Sequence, residues 1–227
     1  MPFSGLPERL DEINRRINAA IDRGGHGQQV AVVAVTKTHG ADAVRAAWDA
    51  GLRAVGENRV QEALPKMDEA GVPVDWHLIG HLQRNKAKSA LRFALVHSMD
   101  STRLAEALNA IAREQGKVLR VLAQVNTSGE ETKGGLTRKT LSEEAERWRI
   151  LTSLEVVGAM TMARFDADER ILRSTFAGAR EALSILKDAG HPARELSMGM
   201  SNDFEIAVEE GATMVRLGTI LFGEREP

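Results

Sequence analysis

The chain has 227 residues, 30 Lys+Arg against 32 Asp+Glu, 43% hydrophobic residues, no Cys and no Tyr. That length suits one large domain or two small ones, and the near-balance of charge leaves no basic surplus for a nucleic-acid backbone or an anionic membrane surface. Without Cys there are no disulfides, zinc ribbons, iron–sulfur clusters or thiol nucleophiles.

The N-terminal stretch MPFSGLPERLDEINRRI carries acidic residues where a signal peptide needs an apolar run. No later apolar run approaches ~18 residues, so a soluble cytoplasmic protein is expected. Leu6, Leu10, Ile13, Ile17 and Ile21 recur at helical spacing and predict a leading helix. Residues 30–36 (VAVVAVT) are apolar on both faces, as a parallel strand covered on both sides requires. Further strands are predicted at 53–56, 76–80, 95–99, 118–126, 154–162, 195–200 and 213–217.

Helical periods fill the intervals, for example at Leu104, Leu108 and Ile111, and Gly51, Gly71, Gly116, Gly190 and Gly211 stand where a left-handed residue closes a helix. The charge-rich stretch 141–150 reads as a solvated helix with Trp148 turned inward, and Asn202 with Glu205 predicts a capping box. The longest polar stretch, 127–140, is expected to be a loop acting as a lid. Eight strands alternating with helices predict an α/β fold: residues 1–227 as a single (β/α)8 TIM barrel with an extra N-terminal helix.

In such a barrel chemistry sits at the C-terminal ends of the strands, with phosphate commonly held after the seventh and eighth. Lys37 closes the first strand and is expected beside apolar walls, where desolvation makes an amine a nucleophile for imine formation. The alternative is a rim lysine that snorkels or pairs with a carboxylate. Gly199 and Gly218 would let the backbone approach an anion, Ser201 and Thr219 supply hydroxyls, and a helix opens near Asn202. An amine beside an anion cradle suggests a phosphorylated aldehyde or ketone: pyridoxal 5′-phosphate (PLP), or a sugar phosphate in a lysine-type aldolase.

Arg216, at the end of the eighth strand, only donates hydrogen bonds. It would keep a facing pyridine nitrogen unprotonated, or else bind the phosphate or pair with a carboxylate. His77 and His81 lack a third ligand, so no metal site is expected. His97 and Asp100 lack a nucleophile and are expected to hydrogen-bond at the rim. Met160, Met162, Met198 and Met200 are expected to pack the core or pad a bound ring.

These residues lie in segments that resemble the pyridoxal phosphate homeostasis protein family, small relatives of the alanine-racemase-type barrel. The segments are AVTKTHG around Lys37, GENRVQE at 56–62, WHLIGHLQRNK at 76–86, VNTSGEETKGG at 125–135, GAMTM at 158–162 and LSMGMSNDFEIAVEEGATMVRLGTILFG at 196–223. The resemblance runs nearly end to end. It implies a fold-type III barrel that carries PLP as a Schiff base on Lys37. The phosphate would be held by Ser201, Gly218 and Thr219 with backbone help near Met200, Arg216 would face the pyridine nitrogen, and Asn58 and His77 would form the far wall. The family often has Ser before the lysine and Pro soon after, where this chain reads Thr36-Lys37-Thr38-His39-Gly40. It often has Tyr where Arg59 stands.

A barrel-type racemase pairs its lysine with a tyrosine from a second domain, and this chain has no Tyr and nothing after the eighth strand to build that domain. The expected role is therefore PLP buffering and delivery in intracellular PLP homeostasis, with PLP-dependent apo-enzymes as possible partners and no robust catalysis, by a monomer that uses no nucleic acid or membrane. A narrow-scope PLP enzyme acting on an amino acid is the alternative, and a lysine-type aldolase comes third.

Overall fold

The computed structural model of the chain describes residues 3–127 and 134–223. Of the expected lid, residues 128–133 lie outside the described residues, and its last three, 138–140, belong to a helix instead of a loop. The helix α1 (Leu6–Gly24) buries Leu6, Leu10, Ile13, Ile17 and Ala20, with Ile21 at the edge of the same stripe, and ends on Gly25 at φ 67°. Alternating strands and helices follow: β1 (Ala31–Val35), α2 (Ala41–Asp49), β2 (Ala54–Glu57), α3 (Val60–Ala70), β3 (Asp75–Leu78) and a 3-10 segment (Arg84–Arg92). Then come β4 (Leu95–Met99), α4 (Thr102–Glu114), β5 (Leu119–Gln124), α5 (Arg138–Trp148), β6 (Leu154–Met160), α6 (Glu169–Asp188), β7 (Glu195–Ser197), α7 (Phe204–Glu209), β8 (Met214–Leu217) and α8 (Thr219–Phe222).

The eight strands close in sequence order, all parallel, with β1 hydrogen-bonded to β8 so that Val33 lies opposite Arg216 and Ala34 opposite Leu217. This is the (β/α)8 barrel with a leading helix expected from the alternation. Val33, Leu95, Leu122, Val157, Met160 and Met214 cluster inside the barrel, with Ala54 and Met162 against them. The larger cluster, including the inward-turned Trp148, lies between strands and helices. Among the described residues no helix is long and apolar enough to cross a membrane.

Two local expectations change. The seventh strand is only three residues long, because Gly199 takes a left-handed φ of 93° and turns the chain into the mouth. No capping box forms at Asn202: α7 has Asp203 at its N-cap with no side-chain bond to the helix. Asp203 Oδ1 instead accepts the Met200 N–H at 2.6 Å, while Glu205 is drawn away to Arg16 of α1.

Candidate functional site

The mouth of the barrel is built where the first strand meets the last. Thr36 N–H makes the final ladder bond, to Gly56 O at 3.1 Å, so Lys37 stands one residue beyond the sheet in an exposed turn. The apolar walls expected around Lys37 are therefore not formed by its neighbours. The turn continues through Thr38 at φ 74°, a left-handed conformation that a β-branched residue adopts only when its surroundings impose it.

Those surroundings lie just beneath. Glu57, fully buried at the end of β2, accepts hydrogen bonds from Thr36 Oγ1 at 2.6 Å and from Lys66 Nζ at 2.5 Å. Lys66 Nζ also donates to the Thr36 carbonyl at 2.9 Å. A buried ion pair thus grips the residue before Lys37 from below. The sequence reading missed it, although α3 carries a signal: Lys66 falls on the buried stripe Val60, Ala63, Lys66, Ala70, where a charge needs a partner.

The loops after β7 and β8 converge beside this turn. Ser201 Oγ accepts the Ile220 N–H at 3.4 Å, which ties the two loops together, and a Cβ at Gly218 would stand 3.5 Å from Val35, two residues before Lys37. Thr219 is exposed next to them. Gly199 is required in its turn, since a Cβ there would fall 2.7 Å from Ala207 Cβ and its carbonyl accepts the Arg216 N–H at 2.9 Å. The Met200 N–H is already committed to Asp203, so this amide is not open to an anion. Across the mouth Asn58 is half-buried, its backbone packed so closely on Gly80 that any side chain at 80 would collide with it.

Inside the barrel a polar chain crosses from strand to strand. His77 Nδ1 lies 3.0 Å from His97 Nε2, and His97 Nδ1 lies 2.9 Å from Ser197 Oγ. Arg216 Nη1 donates to that Oγ at 2.6 Å, and Nη2 to the Thr161 carbonyl at 2.9 Å. Burial pushes His77 down to about 4, with the positive charge of Arg120 adding to the effect. It pushes His97 well below its ordinary value, helped by His77 and Arg216. Burial also pulls Arg216 down to about 10, opposed by the negative charge of Asp203. Both imidazoles are neutral at pH 7 while the guanidinium keeps its charge.

His97 is thus an interior residue, where a rim position was expected. Asp100 stays at the mouth, 3.3 Å from His81. Among the described residues no cluster of His, Cys, Asp and Glu could hold a metal ion.

Comparison with known proteins bears on this arrangement. Residues 9–226 match the family model described as alanine racemase, N-terminal domain. A pyridoxal phosphate homeostasis protein of Aquifex aeolicus is 40% identical over 223 residues, 96% of this chain and 98% of its own length. The protein of that name from Homo sapiens is 36% identical over 244 residues, 98% of this chain and 87% of its own. A structure of PipY from Synechococcus elongatus with PLP bound matches with a TM-score of 0.85 at 37% identity, covering 96% of this chain and 100% of that one. Alanine racemase from Corynebacterium glutamicum matches with a TM-score of 0.70 at 18% identity over 60% of its length, a likeness of fold alone. A barrel whose first and last strands meet at a lysine and a hydroxyl-lined loop pair, matched end to end by these relatives, belongs to the pyridoxal phosphate homeostasis protein family.

Proposed function

We propose that this protein holds pyridoxal 5′-phosphate on Lys37 and serves intracellular PLP homeostasis by buffering and delivering the cofactor, without robust turnover. The observation that carries the reading is the convergence at one mouth of the Lys37 amine and the tied loops of Ser201, Gly218 and Thr219. The donor set fits the group: hydroxyls suit a phosphate, and a buried guanidinium, a donor only, suits an acceptor lone pair such as a ring nitrogen. Bound PLP supplies an aldehyde that condenses with an amine and a ring that withdraws electrons from the attached carbon.

Lys37 would provide the amine, Ser201, Gly218 and Thr219 the phosphate cradle, and Arg216 the partner of the ring nitrogen. Asn58 and His77 would close the far side, and Met200 would contribute through its half-buried side chain, its amide being engaged elsewhere. Because Arg216 donates and cannot accept a proton, it would leave the ring nitrogen unprotonated and so weaken electron withdrawal. That favours holding over turnover.

The exposure of Lys37 supports release as well, since an amine from an apo-enzyme could reach the attached carbon without passing through the barrel. All the proposed contacts come from one chain, so a monomer suffices. The test is borohydride reduction of the PLP-loaded protein followed by peptide mass spectrometry. The adduct is expected on Lys37 and lost in Lys37→Ala. An adduct on another lysine, or none, overturns the reading.

A further inference from the structure

We propose that His77, His97 and Ser197 form a one-way hydrogen-bond chain whose task is to orient Arg216 toward the bound ring through neutral partners. The proposal rests on the function proposed above; His97 and Ser197 are positioning residues, acting on the ring only through Arg216, and His77, which would close the far side of the cofactor, anchors the other end of the chain. The direction of the chain follows from its end. Arg216 donates to Ser197 Oγ, so the single Ser197 proton is left for the remaining partner, His97 Nδ1. His97 Nδ1 then accepts, and a neutral imidazole that accepts at Nδ1 carries its proton on Nε2. That proton goes to His77 Nδ1, which places the proton of His77 on Nε2 as well. In the reverse order Ser197 Oγ would accept twice and its own proton would have no partner among the described residues. In a fully buried site that loss is substantial.

The chain joins β3, β4, β7 and β8, and Arg216 has its second hold on Thr161, just past β6. A long, flexible side chain is thereby held from two sides of the barrel. Its acceptors among the described residues are a hydroxyl and a carbonyl rather than a carboxylate. A hydrogen-bonded carboxylate would also have fixed the guanidinium, but it would have added to the negative charge that Asp203 already sets against it. Neutral partners give orientation and set no further charge against the cation that would face an acceptor at the mouth.

The experiment has two arms. In the protein without added cofactor, long-range proton–nitrogen NMR at pH 7 should report the Nε2–H tautomer for both His77 and His97. An Nδ1–H tautomer at His97 overturns the proposal, whatever any variant does. In the PLP-loaded protein, Ser197→Ala should weaken PLP retention by roughly tenfold or more and shift the absorption band of the bound cofactor, with the borohydride adduct still on Lys37. Ser197→Thr, which keeps the hydroxyl, should restore the band. A Ser197→Ala protein that melts earlier yet keeps the parental band and affinity would show a merely structural role and overturn the proposal. Absence of any Lys37 adduct in the parent protein instead defeats the cofactor reading, and the tautomers then still decide the ordering of the chain.

Discussion

Burial of His77 and His97 as neutral rings gives stability a pH dependence of definite sign. An imidazole in the unfolded chain titrates near ~6.5, whereas His77 in the fold titrates at about 4 and His97 well below its ordinary value. Between those limits the unfolded state binds more protons, so stability is complete above pH ~6.5 and falls as pH is lowered, by up to about 1.4 kcal/mol per pH unit for each ring. Urea midpoints measured from pH 7 to pH 4.5 should fall accordingly, and the double variant His77→Gln/His97→Asn should flatten the dependence. An unchanged slope would contradict the burial argument. The pair under Lys37 makes a second prediction. Lys66→Met leaves the Glu57 carboxylate buried without its cation, a loss of about 3–5 kcal/mol in urea unfolding, and Glu57→Gln added to it should recover part of that loss. The placement of Lys37, Ser201, Gly218 and Thr219 around one mouth was legible in the sequence because each stands at or shortly past a strand end. The link between His97 and Ser197 was not, because they are 100 positions apart and only barrel closure brings them together.

Among the elements, β7 and its exit turn carry the most consequence for their size. Gly199→Ala must accommodate both a positive φ and a Cβ 2.7 Å from Ala207. A loss of about 1–3 kcal/mol in thermal unfolding is expected, together with weaker PLP retention, because the Gly199 carbonyl holds the Arg216 backbone. Full stability in this variant would mean that the turn relaxes at no cost. The leading helix α1 packs on α7 and α8, and Arg16 and Arg23 pair with Glu205 and Glu209. The strands and helices were legible because apolar period and helix-ending glycines are local signals. The capping box was misread because the partner of Glu205 lies 189 residues away, and no local pattern reports such a competitor.

At the scale of the molecule, the mouth is open at Lys37 and the chain contains no tyrosine to serve as a second base. Holo-protein incubated with L-amino acids in deuterated water is therefore expected to show no multi-turnover Cα exchange with inversion and no sustained release of carbon dioxide. Turnover abolished by Lys37→Ala would promote the reading as a narrow-scope enzyme. If turnover is absent, restoration of a PLP-dependent apo-enzyme faster than spontaneous PLP release would support delivery. The pairing of β1 with β8 reaches further still. Lys37 follows β1 and Arg216 lies in β8, so the two sides of the proposed site come together only when the barrel closes. A chain cut before β8 would keep the Lys37 amine and lack the loops proposed to seat an anion beside it. Under the proposed function, holding capacity would count only chains that carry the eighth strand, and truncation just before β8 should abolish PLP retention while leaving Lys37 in place.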